Sequence, residues 1–422
     1  MKPVASHVQT TVTSNGTSTF GLQWLKLTHI VLLLKFVLLL IVHELLRPFC
    51  LSFRGVCSLS IHVSAAAATS IVLFLKRGFH PKYPEWTFAY EWFQAIASTT
   101  GQRHGSHILQ LPNAVTFRRN FEFIGWLAGA WACWLYDMEL ERFRYHGLEH
   151  LWLRSRSRTA KSKERIVVLY YHGGGYALFS PRFYVAFACR LLSQIQTQLC
   201  VPTDDFASLE VHILLANYRK LPEVGFPTPV DDAMAMYEYV MQDQKVSSEK
   251  IIFAGDSAGA GLVLAILLRL RRAKRAMPLA ALCSCPYADL SAQVAVARNC
   301  FISKSMVDGI RELCLQTTPP SSWREGAMLD ANFRELPPLF IQTAEFDILH
   351  HQALQLEKKA QADGVTVELD VHAHMPHVFT LFPHFMLPQS QVGIERCAAF
   401  ITQQVTASHR IPVQLPMAAP AF

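Results

Sequence analysis

From residue 165 onward the sequence is organised as six short apolar runs, most of them separated by segments of helical periodicity. The runs are RIVVLYYH (165–172), VHILLANY (211–218), KIIFAGD (250–256), LAALCSCPY (279–287), PLFIQTAEFD (338–347) and TVELDVH (366–372). Segments such as VDDAMAMYEYVMQDQ and GAGLVLAILLRLRRAKRA lie between them. Strand-length runs that are apolar throughout, rather than alternating, have both faces covered, and helices between strands supply that cover. The pattern therefore predicts an α/β fold with a mostly parallel, doubly wound sheet. In such sheets chemistry gathers outside the carboxyl ends of the strands.

Two of those ends carry motifs. In FAGDSAGAG, Phe253 to Gly261, an apolar run enters a Gly-x-Ser-x-Gly turn that opens an apolar helix. Gly255 and Gly259 flank Ser257 because a sharp strand-to-helix turn leaves no room for side chains there. The turn lifts the Ser257 hydroxyl out of the sheet as a nucleophile. A nucleotide-binding turn would need a phosphate fingerprint, and this turn has neither G-x-G-x-x-G nor a Lys-Ser/Thr pair. In YYHGGGYALFS another run ends in His172 and three glycines. Acyl transfer through a tetrahedral intermediate needs preorganised N–H donors for an oxyanion, and consecutive glycines can turn several into one small space. The reading assigns Gly173, Gly174 and Gly175 to that role. The N–H of Ala258, at the start of its helix, joins them.

HGGG, NYRKLPEVGFPTPVDDAMAMYEYV and GDSAG together resemble the hormone-sensitive-lipase branch of the α/β-hydrolase fold, over roughly residues 165–405. In the middle segment Lys220-Leu221-Pro222-Glu223 stands where the family has Leu-Ala-Pro-Glu. The resemblance extends to membrane-anchored esterases of the arylacetamide deacetylase and steryl acetyl hydrolase type. It implies a helical cap over the sheet and His172 as the residue that orients the glycine loop. It also implies an acid and then a histidine after the serine. Asp347 takes the acid position, with Glu345 as a nearby alternative; the next positions are His350-His351, where the family often has another acid.

The stretch DVHAHMPHVF holds His372, His374 and His377. Read alone it could supply zinc ligands, but nothing else in the chain calls for a metal. Met375-Pro376 stops a strand and begins a loop, so His377 is the expected base, His374 its competitor and His372 a strand-end residue. Neither a metal nor an organic cofactor is expected. The expected partners are a lipophilic ester and water, with the oligomeric state open. A catalytically silent binder and an acyltransferase using the same serine are the alternatives.

The N-terminal part predicts a membrane attachment. After a polar segment (1–24), residues 25–46 are apolar enough to cross a bilayer, although Lys35 near mid-span is costly. Within the anchor region 25–79, residues 59–75 form a second span or a helix lying on the membrane. Arginine and lysine flanks do not fix the orientation, and the sequon at Asn15 would matter only on the lumenal side. A membrane, first that of the endoplasmic reticulum, is the expected location, with the side of the catalytic domain open. Residues 80–153 read as a helical cap region, with 121–143 a lid or a third membrane element, and the basic run 154–164 as a linker. The catalytic domain then covers 165–405 and a tail 406–422. Net charge is +7 with 17% charged residues, and no long Lys/Arg helix is interleaved with aromatics, which argues against nucleic acid. The ten cysteines show no disulfide framework or zinc-knuckle spacing.

Overall fold

The computed structural model describes residues 17–50, 52–156, 164–199, 209–319 and 325–410; the sequon at Asn15, most of the basic run, Cys200 and the end of the tail lie outside them. The chain divides into two units, Met1–Arg47 and Pro48–Phe422. The first is helix α1 (Thr17–Leu46). From His29 to Val42 every side chain is exposed, although nearly all are apolar. Two helices, α1 and α2 (Phe53–Lys76), are long and apolar enough to cross a membrane by length and composition.

In the second unit α2 packs against α3 (Phe88–His104), burying Val56, Leu59 and Ser70. Phe74 meets Phe88 at 4.4 Å and Arg77 pairs with Glu91. Helix α4 (Leu111–Leu135) follows. Next comes a feature that corrects the reading of 80–153 as helical: β1 (Met138–Tyr145) and β2 (Leu148–Ser155) form an antiparallel hairpin. His146 and Gly147 both have positive φ, the requirement of a two-residue turn that matches strand twist. The basic run is accordingly not a domain boundary. It connects β2 to β3 (Glu164–Tyr171) within one sheet.

The remaining elements are α5 (Pro181–Leu199), β4 (Leu209–Ala216), α6 (Thr228–Gln242), β5 (Ile251–Asp256), α7 (Ala258–Arg272), β6 (Ala280–Ser284), α8 (Lys304–Thr317), β7 (Leu339–Ala344), α9 (His350–Ala362), β8 (Val367–His372) and α10 (Gln389–Arg410). The eight strands lie in the order β1-β2-β4-β3-β5-β6-β7-β8, antiparallel at β1–β2 and β2–β4 and parallel elsewhere. Alternate residues of each central strand enter opposite cores. Val167, Leu169 and Tyr171 of β3 pack with α6, α7 and α9, while Ile166, Val168 and Tyr170 pack with α5 and α10. Both faces are apolar because both are covered. Chain order runs outward from β3 to β4 and then turns back across it to β5. That reversal opens a crevice at the carboxyl ends of β3 and β5, where HGGG and GDSAG sit.

Candidate active site

Ser257 follows β5 directly, at φ 51° and ψ −120°, a strained conformation for a residue with a side chain. Three backbone hydrogen bonds hold it: its N–H donates to Ser284 O (2.8 Å), and its carbonyl accepts from Gly261 (3.1 Å) and Tyr287 (3.0 Å). The flanking glycines are required sterically. A Cβ on Gly259 would lie 2.0 Å from Tyr171 O, and one on Gly255 would lie 2.6 Å from the Gly259 backbone.

Asp347 follows β7 and His377 follows β8. Asp347 Oδ1 and His377 Nδ1 are 2.7 Å apart and both residues are buried. Asp347 Oδ1 also accepts from the Leu349 N–H at 2.9 Å. With the carboxylate as acceptor, His377 carries its proton on Nδ1, which leaves Nε2 with a lone pair. Val378, in the left-handed region at φ 45°, donates its N–H to Cys285 Sγ at 3.2 Å. That bond fastens the His377 loop to the end of β6, beside the Ser284 carbonyl that holds Ser257.

The three histidines do not converge. His372 Nε2 bonds Asp370 Oδ2 (2.8 Å) as a strand-end residue. His374 lies at the surface, its Nδ1 2.9 Å from Glu85 Oε2 and its ring stacked on Tyr83 at 4.9 Å. Glu345 accepts the His374 N–H (3.0 Å) and has no bond to His377 among the described residues. One group of three metal-ligand types does exist: Cys285, Asp347 and His377, with donor atoms within 4.8 Å. Burial and the neighbouring Asp347 charge push the Cys285 thiol well above its ordinary pKa. A protonated thiol is a poor metal ligand, and the carboxylate is already bonded to the imidazole. This donor set suits proton transfer.

The glycine loop departs from expectation at one position. Gly173 donates its N–H to Asp256 Oδ1 (3.0 Å) and Tyr184 Oη (3.1 Å), so it is spent on the scaffold and is no oxyanion donor. The N–H groups of Gly174, Gly175 and Ala258 make no hydrogen bond among the described residues. Gly174 (φ 106°) and Gly175 (φ 61°) need glycine's conformational freedom, and a Cβ on Gly175 would lie 2.2 Å from Ile310 Cδ1 of α8. Helix α8, between β6 and β7, thus closes over the loop as a cap. His172 Nδ1 bonds Gly173 O (2.8 Å) while Tyr218 donates to His172 O (2.8 Å) and stacks on the ring at 4.5 Å. Burial, with Lys220 nearby, holds His172 well below its ordinary pKa, as a neutral brace for the loop.

Sequence reasoning missed two groups. Asp256, next to the serine, accepts from Tyr170 (2.8 Å), Tyr184 (2.9 Å) and Gly173, tying the glycine loop to the elbow. Burial raises its pKa to about 6 against the lowering effect of the two tyrosines, with His377 near enough to lower it further. The other group lies in the PEWTF segment, Pro84 to Phe88. Trp86 Nε1 donates to His374 O (2.7 Å), Thr87 Oγ1 donates to Met386 O (2.6 Å), and Trp86 and Tyr90 pack on Met375 and Phe379. This N-terminal clasp holds the loop that carries His377; its signal was the aromatic density of residues 83–93.

Residues 168–381 match the α/β hydrolase fold family. An acetyl-hydrolase of Streptomyces hygroscopicus is 34% identical over 239 residues, 56% of this chain and 74% of the relative. An esterase of Acinetobacter venetianus is 25% identical over 59% of this chain and 79% of the relative. A crystal structure of an esterase from the bacterial hormone-sensitive lipase family is similar at a TM-score of 0.56 and 28% identity, covering 69% of this chain and 92% of that one. The chain belongs to the α/β-hydrolase fold family, in its hormone-sensitive-lipase branch. It is a carboxylic ester hydrolase.

Proposed function

We propose that this chain is a membrane-anchored serine esterase that hydrolyses uncharged, lipophilic carboxylic esters, with Ser257, His377 and Asp347 as its triad. The observation that carries the reading is the buried 2.7 Å Asp347–His377 bond set at the sheet end that bears the strained Ser257 turn. His377 Nε2 takes the Ser257 proton as Oγ attacks the ester carbonyl carbon. The oxyanion is met by the N–H groups of Gly174, Gly175 and Ala258, and the protonated imidazole then gives its proton to the departing alkoxide. Water repeats the sequence on the acyl-enzyme and releases the acid.

Two features support the substrate class. The relative named acetyl-hydrolase supports a short acyl group, and α1 is long and apolar enough to hold the enzyme where hydrophobic esters accumulate. Membranes bearing the wild-type chain should hydrolyse a panel of sterol acetates and short-chain aryl esters and should label with a fluorophosphonate probe. Ser257→Ala should lose both, by at least about 10⁴-fold in turnover. Equal turnover by wild type and Ser257→Ala would refute the assignment.

A further inference from the structure

Helix α4 has one face committed to protein. Gly125 and Gly129 let its backbone press on α5, where a Cβ on Gly125 would lie 2.5 Å from Phe183 Cα and one on Gly129 would lie 2.9 Å from Val185 Cβ. Among the described residues the opposite face has no such partner. From Phe123 to Leu135 every exposed position is apolar: Phe123, Ile124, Trp126, Leu127, Ala128, Ala130, Trp131, Trp134 and Leu135. Trp126, Trp131 and Trp134 are 54%, 64% and 69% exposed. Water-facing helices do not carry such a band, and contiguous apolar patches of this kind mark interaction surfaces. A helix pinned along one side to a globular body cannot cross a bilayer, but it can lie in the plane of one.

The chemistry around the helix selects the occupant. Tryptophan is the residue enriched at the headgroup level of membranes, where its apolar ring and polar N–H are both accommodated. A cavity of about 320 Å³ between α4, α5 and β1 is lined by Trp126, Trp134 and Leu140 together with Arg142, Arg156 and Arg182. Arg182 is engaged by Glu149 at 2.7 Å, whereas Arg142 is exposed and Arg156, its Nε donating to Met138 O at 3.1 Å, keeps an exposed side chain. An apolar band with arginines at its edge complements acyl chains beneath anionic headgroups. The N-terminal part of α4 meets the segment before α2, where Phe49 packs on the buried Phe117 with ring centroids 6.1 Å apart.

We propose that the α4–β1 face is a docking surface for an anionic lipid bilayer, with Trp126, Trp131 and Trp134 seated in the interface and Arg142 and Arg156 on lipid phosphates. The inference rests on the reading that the chain is membrane-attached and adds a second, peripheral contact made by the catalytic unit itself. This contact would hold the catalytic unit against the membrane surface.

The full chain is reconstituted into vesicles of phosphatidylcholine alone or with phosphatidylserine at about 7:3, which gives an anionic surface, both made with chain-brominated lipid. Tryptophan quenching should fall roughly twofold in W126S/W131S/W134S, because these rings sit at the depth that interfacial tryptophans occupy. R142Q/R156Q should abolish the extra quenching that phosphatidylserine brings. Hydrolysis of a soluble short-chain ester in detergent should be unchanged in all variants, which shows that they fold. Wild-type quenching retained by the tryptophan variant in both lipids would overturn the proposal. So would a detergent-solubilised dimer that the tryptophan variant converts to a monomer, since that would assign the face to a second copy. Absence of ester hydrolysis in the wild type would instead strike the esterase reading, while the quenching comparison still decides the docking surface.

Discussion

Helices α7 and α4 are both rich in apolar residues, and the fold treats them in opposite ways. From Ala258 to Leu268 every residue of α7 is buried, because the helix opens at Ser257 and is enclosed by the sheet on one side and by neighbouring elements on the other. Helix α4 buries the stripe through Ala114, Phe117, Gly125, Gly129, Ala132 and Cys133, and presents tryptophans outward. Apolar composition alone does not distinguish a core helix from one that needs a second apolar medium. The positions of small residues do: in α7 Gly259 sits against the backbone of β3, whereas in α4 the glycines mark the one face that touches protein. At α7 structure and chemistry are inseparable, and at α4 they are separable.

The largest test of that contrast lies in the two histidines three residues apart. His377→Ala removes the base bonded to Asp347 and should lower kcat/KM by about 10³- to 10⁴-fold or more. His374→Ala removes a partner of Glu85 at the surface and should change kcat/KM by less than about threefold. Steady-state hydrolysis of a soluble ester measures both. Comparable losses in the two variants would mean that the surface cluster of Glu85, Tyr83 and His374 belongs to the chemistry.

A second test compares glycines. Gly259→Ala places a methyl group 2.0 Å from Tyr171 O, a backbone atom of the central strand that cannot yield, and should cost about 3 kcal/mol or prevent accumulation of folded enzyme. Gly129→Ala meets Val185 Cβ at 2.9 Å. There the clash is partly offset by alanine's helix propensity, about 1 kcal/mol over glycine, so a net loss of about 1 kcal/mol or less is expected. Thermal unfolding in detergent ranks the two; equal losses would erase the distinction.

The six parallel strands and both motifs were readable because each is a local pattern: apolar runs of strand length, and glycines where a turn forbids side chains. His377 was separable from His372 and His374 because Pro376 marks the end of a ladder. The hairpin of β1 and β2 was not read, since MELERFRY and LEHLWLRS are half polar and follow an apolar helix, although the His146-Gly147 pair between them was a turn signal. The N–H of Gly173 was misassigned because its acceptor, Asp256, lies 83 residues away and only the pairing of β3 with β5 brings them together. The Trp86 clasp on the His377 loop spans 288 residues to His374 and leaves no periodic trace.

An effect smaller than that at Gly259 concerns Lys220, which stands where the family pattern has leucine. Its ammonium is buried, donates to Asn217 Oδ1 and to Tyr218 O (2.9 Å), and lies 4.8 Å from the Tyr218 ring centre. Burial, reinforced by Arg118, lowers its pKa to about 7. An unfolded chain keeps lysine protonated to about pH 10, so between pH 7 and 10 the unfolded state binds more protons than the folded one. This group therefore makes stability rise with pH across that window, and imposes its full desolvation cost below pH 7. Lys220→Leu removes the cost, while Asn217 Oδ1 still accepts the Tyr218 N–H at 3.0 Å. The variant should be more stable than wild type by on the order of 1–2 kcal/mol at pH 6.5, with the gap closing by pH 9 and ester turnover little changed. A gap independent of pH would show that Lys220 is not the titrating group, and a destabilised variant at pH 6.5 would mean that its two hydrogen bonds outweigh the cost of burying its charge.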